Sequence, residues 1–299
     1  MAIQCGGCGA QILIEAGLRT GKCPYCASPA VIERPVDPAR PEPTFALGFV
    51  VGKARALELA RAFIRRPLFA PGKFRRAEPS DVRGLYLPAY VYTAVAKADY
   101  RAQIGEHYTV TETYTTRNAQ GHTVTRTRTR TETEWRDLTG DWAGYIDDVV
   151  VTASRGLPNA ELQSVEPFDL RALLRFTPKL LSGWMAEDPS MSEAECRQQA
   201  RAELESLVGA RLTAHMPGDK HRDLNFRWRT EHEDLELVML PVWVLAVRYD
   251  DGKPPVRLVV NGQTGQLGGR APLSWQKIVF TILAFIAVIT AIVLLGALR

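Results

Sequence analysis

The chain has 299 residues, 46% hydrophobic and 23% charged, with a mean hydropathy of −0.12, which excludes a disordered chain, a collagen-like repeat and a polytopic transporter. The formal charge of +4 is unevenly spread: residues 1–136 hold 20 Lys and Arg against 12 Asp and Glu, and residues 137–299 hold 17 against 21. A basic N-terminal half is compatible with an anionic partner, either lipid headgroups or nucleic acid.

Four of the five cysteines form two Cys-x-x-Cys pairs, Cys5 with Cys8 and Cys23 with Cys26, separated by fourteen residues. Two tight knuckles at the ends of a β-hairpin bring four thiolates to one tetrahedral centre, so residues 1–32 are expected to form a zinc ribbon. Its structural Zn²⁺ would be held by Cys5, Cys8, Cys23 and Cys26. A disulfide framework and a redox dithiol are the alternative uses of the same residues, and two paired knuckles argue against both. A segment this short buries too little apolar surface to fold alone, so metal binding, at an apparent ~10–16 kcal/mol, is expected to supply most of its folding free energy. No apolar signal region precedes the cysteines, which places them in a reducing cytosol. Residues 33–43 contain four prolines and are expected to be a semi-rigid extended spacer that holds the ribbon away from the rest.

Residues 44–277 read as one α+β body built from a β-α-β-β unit used twice, with halves at about 44–157 and 178–272. The strand Phe45-Ala46-Leu47-Gly48 leads into a helix bearing Leu57, Ala60 and Ile64, then into Leu85-Tyr86-Leu87-Pro88. The order returns as Leu181-Ser182-Gly183-Trp184, a helix opened by Ser192 with Glu195 at the capping-box position, and Val238-Met239-Leu240-Pro241. On this reading Gly48 matches Gly183 and Leu87-Pro88 matches Leu240-Pro241.

Between the halves, threonines at every second position from Thr109 to Thr115 and from Thr123 to Thr133 alternate with Tyr, Val, Glu and Arg. Period two means strands, so residues 106–136 are predicted to be a long β-hairpin with a threonine face and a charged face carrying Arg126, Arg128 and Arg130. Such a hairpin is either a solvated ribbon whose charges discourage edge aggregation or an arm that pairs with a partner strand or lies on an anionic surface. At the C-terminus, residues 278–298 contain no charged side chain and, as a helix, measure about 31 Å at ~1.5 Å per residue. A single transmembrane helix is expected there, anchoring the protein in the bacterial inner membrane with its bulk in the cytoplasm.

The sequence carries no phosphate-binding Gly-x-x-x-x-Gly-Lys loop, no Gly-x-Ser-x-Gly elbow and no His-Glu-x-x-His helix. Its five histidines (107, 122, 215, 221 and 232) fit no common metal spacing. Cys196 reads as a small buried apolar residue, Asp147-Asp148 as a strand entry, and Asn261-Gly262 as a turn requiring positive φ. No catalytic residue, cofactor-binding residue or small-molecule substrate is assigned.

Several phrases together resemble a bacterial family of membrane-anchored TFIIB-type zinc-ribbon proteins, often labelled as relatives of the helicase primosomal protein N-prime. These are the two Cys pairs, Phe69-Ala70-Pro71, Gly84-Leu85-Tyr86-Leu87-Pro88, Asp147-Asp148-Val149-Val150-Val151-Thr152-Ala153-Ser154, Leu240-Pro241-Val242-Trp243, Val260-Asn261-Gly262-Gln263-Thr264-Gly265 and Pro272-Leu273-Ser274-Trp275-Gln276-Lys277. The helicase label does not carry over, because no nucleotide-binding loop is present. The resemblance implies a cytosol-facing recruiter of proteins of the SPFH (flotillin-like) or phage-shock type. The expected function is therefore a non-enzymatic, tail-anchored membrane adaptor. A membrane-tethered nucleic-acid-binding protein is the alternative, supported by the basic N-terminal half, although the ribbon offers only Arg19, Lys22 and Tyr25 as basic or aromatic contacts, fewer than stacking and phosphate neutralisation require.

Overall fold

The computed structural model describes residues 2–5, 9–13, 25, 31–34, 41–117, 123–250 and 252–297. Three short strands open the chain: β1 (Ala2–Cys5), β2 (Gln11–Leu13) and β3 (Val31–Arg34). They are followed by β4 (Phe45–Ala46), α1 (Lys53–Arg65), α2 (Gly72–Arg75) and two long strands, β5 (Ser80–Arg117) and β6 (Thr123–Thr152). The second half holds α3 (Asn159–Gln163), β7 (Leu174–Arg175), β8 (Met185–Glu187), α4 (Glu193–His215), β9 (Lys220–Val247), β10 (Val256–Asn261), β11 (Leu267–Gly269) and α5 (Trp275–Ala297). The result is a sheet-dominated α+β fold whose strands pair in the order β11-β10-β9-β5-β8-β2-β1-β3, with β6 on β5 and β4 on both β7 and β9.

The chain forms two compact units. The first comprises Met1–Val91, Val150–Cys196 and Glu236–Arg299. Its centre is the run from Leu237 to Val247 on β9, buried on both faces, which is why the sequence there is continuously apolar instead of alternating. Parity sorts the side chains. Val238, Leu240, Val242 and Val244 join Leu85, Leu87 and Leu162 in one cluster, while Trp243, Leu245 and Val247 join Ala56, Ala60 and Ile64 of α1 in another. The second unit comprises Tyr92–Val149 and Arg197–Leu235. Within it, α4 buries Ala200, Leu204, Val208 and Leu212 at a spacing of four, and β5 buries Ala94, Ala96 and Ala98 at a spacing of two.

The two halves exchange strands. β4 runs parallel to β9, with Phe45 opposite Val238 and Ala46 opposite Met239; β8 runs parallel to β5, with Leu85 opposite Met185 and Tyr86 opposite Ala186. In each case the Leu-Pro pair follows directly on the paired segment, at Leu240-Pro241 and Leu87-Pro88. The glycines do not correspond in this way. Gly48 lies after its strand and Gly183 before its own, with φ +80° at Gly183.

The structure overturns two expectations. Among the described residues, no helix is long and apolar enough to cross a membrane. The transmembrane anchor over residues 278–298 is therefore withdrawn, and with it the single-pass inner-membrane placement. The zinc ribbon is also not found as expected: no three His, Cys, Asp or Glu side chains converge among the described residues. Cys5 lies at the end of β1, and Cys8, Cys23 and Cys26 lie outside the described residues.

Nor is the N-terminal segment held at a distance. β1 pairs with β2 and β3, and β2 pairs with β8, Ile12 opposite Glu187 and Leu13 opposite Ala186, so main-chain hydrogen bonds join it to the sheet of the body. Glu33 and Arg34, read as the start of the spacer, belong to β3. In the second unit, the alternating threonine stretch lies in strands, and the turn residues 118–122 lie outside the described residues.

Candidate functional site

The cysteine segment begins with a closed backbone turn. The amide of Gly9 donates to the carbonyl of Cys5 at 2.9 Å, and the amide of Cys5 donates to the carbonyl of Ala10 at 2.9 Å. Gly9 takes φ +76°, a conformation glycine adopts without steric cost. Cys5 is buried with Ala10 and Tyr25 in the main core cluster. Were Cys5 to serve as a thiolate ligand, its other donors would have to come from Cys8, Cys23 and Cys26, which lie outside the described residues.

Beneath this turn lies a buried polar node. The hydroxyl of Tyr25 donates to the carboxylate of Glu187, and the hydroxyl of Ser154 donates to its other oxygen at 2.6 Å. The Ser154 oxygen in turn accepts the amides of Gly156 at 2.9 Å and Leu157 at 3.2 Å. Glu187 is 1% exposed, and a carboxylate so placed is tolerated only because hydrogen bonds replace its water. Gly156 makes the approach possible, since a Cβ there would stand 2.6 Å from the Cβ of Ala10 and 2.9 Å from the Tyr25 ring. The Ser154 hydroxyl is committed as donor and acceptor to partners of the fold, and the node fastens Tyr25 and the segment after β6 to the end of β8.

This node went unseen in the sequence, although Ser154 ends one of the resemblance phrases. Three residues at positions 25, 154 and 187 carry no shared spacing signal. Tyr25, the aromatic one of the few contacts the ribbon offers to nucleic acid, is buried at 2% exposure. Arg19 and Lys22 lie outside the described residues.

The other residues singled out are dispersed. Cys196 is buried in α4, its thiol donating to the Thr152 carbonyl at 3.5 Å, and burial with the neighbouring Glu195 pushes its pKa up to about 11. His107 Nδ1 lies 3.0 Å from the Thr133 hydroxyl, His122 lies outside the described residues, and Asp147 is exposed on β6. Asn261 is buried and ends β10: its Oδ1 accepts the amides of Gln263 at 2.9 Å and Thr264 at 3.0 Å, while its Nδ2 donates to the carbonyl of Val165 at 3.0 Å. Positive φ falls on Gly265, at +83°, so the turn is organised by the asparagine side chain and its glycine stands four residues later.

The hairpin of β5 and β6 is the other candidate surface. Over residues 106–117 and 123–136 most side chains on both faces are exposed. Its charges are laced together. Arg130 pairs with Glu112 at 3.2 Å and also with Glu132, and Arg136 pairs with Glu134 at 3.0 Å and Glu106 at 3.7 Å. The Tyr108 hydroxyl donates to Glu132 at 2.6 Å and, ahead of Arg130, holds that carboxyl below its usual range.

No family model matches the chain, and no solved structure matches it. Among curated proteins it is similar to the uncharacterized protein YdjG of Bacillus subtilis (strain 168), at 24% identity over 240 residues, covering 79% of this chain and 65% of YdjG. The matched stretch spans just under two thirds of that relative's length. A likeness at this level identifies a relative and assigns neither a family nor an activity.

Proposed function

We propose that the protein is a non-catalytic adaptor that recruits another protein through the β5–β6 hairpin. The observation that carries this reading is the exposure of both faces of the hairpin over residues 106–117 and 123–136. A two-stranded ribbon with no buried face gains little from the hydrophobic effect and is marginal by itself. Regular strands kept in that position therefore serve a contact outside the chain, with backbone edges and alternating Thr and Arg side chains available to an added strand. The buried polar side chains Ser154, Glu187 and Asn261 are engaged in holding the fold, which supports a role without chemistry.

The proposal gives Cys5, Cys8, Cys23 and Cys26 to one structural Zn²⁺, on the strength of their spacing and of the turn at Cys5. The family resemblance points to SPFH- or phage-shock-type proteins as the partner class. The test replaces residues 108–134 with a two-residue Asn-Gly turn and compares crosslinked partners of the full chain and the shortened one. Loss of a reproducible partner supports the reading, and an identical partner set overturns it.

A further inference from the structure

The segment from Arg65 to Arg76 carries five Lys and Arg and no Asp or Glu. Its apex is apolar and exposed: Leu68 is 74% exposed and Phe69 42%. Hydrogen bonds place this apex against the start of α5, where the amide of Ser274 donates to the Phe69 carbonyl at 2.8 Å. The Lys277 ammonium donates to the carbonyls of Ala70 at 2.7 Å and Leu68 at 3.3 Å. Between loop and helix lies an open apolar groove of about 630 Å³, lined by Leu68, Phe69, Phe280 and the stem of Lys277. Trp275 and Phe280, at 77% and 74% exposure, extend the apolar surface.

The cations that flank the apex in sequence are exposed. Glu78 takes Arg61 at 2.7 Å and Arg65 at 3.9 Å, but among the described residues Arg66, Lys73, Arg75 and Arg76 make no ion pair, and all four are exposed. Exposed apolar side chains at the tip of a loop, flanked in sequence by exposed cations without carboxylate partners among the described residues, are the chemistry of an anionic amphiphile site: apolar contact for acyl chains, cations for phosphate headgroups. A nucleic-acid surface would use the cations and leave Leu68 and Phe69 in water.

We propose that this segment docks the protein on the surface of a bilayer containing anionic phospholipid. Adsorption of this kind uses the loop and the first turns of α5 and requires no crossing of the membrane. It involves a different surface from the hairpin and stands or falls separately from the adaptor reading.

The full chain is floated with vesicles of phosphatidylcholine alone and of phosphatidylcholine with phosphatidylglycerol. The comparison includes Lys73→Glu/Arg75→Glu/Arg76→Glu and Leu68→Ser/Phe69→Ser, each checked for unchanged far-UV circular dichroism. The expected result is a preference for anionic vesicles of about tenfold or more, falling with salt and abolished by the triple charge reversal. The double serine variant weakens binding to both vesicle types. Equal partition of the wild-type chain between the two vesicles, or a triple variant that keeps the anionic preference, overturns the proposal. So does an oligonucleotide that displaces the chain from anionic vesicles and loses its own binding in the triple variant, since that would assign the patch to nucleic acid.

Discussion

The hydroxyl of Tyr25 donates to the carboxylate of Glu187, 162 positions further along the chain, with both side chains buried. This single contact fastens the cysteine segment to the strand that β2 pairs with, and it can be removed without changing the shape of the ring. Tyr25→Phe is expected to destabilise the first unit by about 1–3 kcal/mol, the cost of leaving a buried acceptor short of a donor. Urea denaturation measures the loss. Limited proteolysis should show earlier cleavage within residues 1–34 than in the parent.

Gly156→Ala tests the same seat by sterics. A methyl group 2.6 Å from the Ala10 Cβ cannot be accommodated unless the segment shifts, so a loss of about 1–3 kcal/mol is expected. Calorimetric melting of the variant should show it. An unchanged midpoint would mean that the segment does not sit where Gly156 faces it.

One zinc per chain is expected in protein purified without chelator, released by denaturation together with thiols that react with a chromogenic reagent. Elemental analysis by plasma mass spectrometry decides it. A stoichiometry near zero in fully reduced protein would remove the metal from the proposed function, and Cys5→Ser should lower the content in the same assay.

Stability should fall as the solution is acidified. The Ser192 amide and hydroxyl, with Arg155, hold the Glu195 carboxyl down at about 2. Burial pushes Glu233 up, but the Thr230 hydroxyl and the guanidinium groups of Arg201 and Arg197 outweigh it, leaving that carboxyl also at about 2. A carboxylate whose folded pKa lies below its ordinary value of about 4.3 stabilises the fold above that value. The contribution is lost as pH drops toward the folded pKa. Urea midpoints should therefore be level near neutrality and decline from about pH 5 toward pH 2, and Glu233→Gln should flatten that decline.

Cys196 is expected to resist alkylation in the native protein. Its pKa of about 11 leaves little thiolate at pH 8, and burial blocks approach. Peptide mapping after iodoacetamide treatment should find Cys196 modified only once the chain is unfolded; rapid native modification would contradict the placement of α4.

The sequence by itself determined the features whose causes are local. Ser192 and Glu195, three residues apart, start α4 because the hydroxyl and carboxylate satisfy backbone amides within one turn, the Ser192 amide reaching Glu195 at 2.7 Å. The alternation from Thr109 to Thr133 sets strands because successive side chains point to opposite faces. Asn261 marks its turn because its own side chain accepts the next amides. Tertiary structure decided which strands meet. The exchange of β4 onto β9 and β8 onto β5 depends on main-chain hydrogen bonds between segments far apart in sequence, and such bonds are blind to side-chain identity. For the same reason Gly48 and Gly183 looked equivalent and are not. The Tyr25, Ser154 and Glu187 node, too, exists only once three distant segments have been packed together.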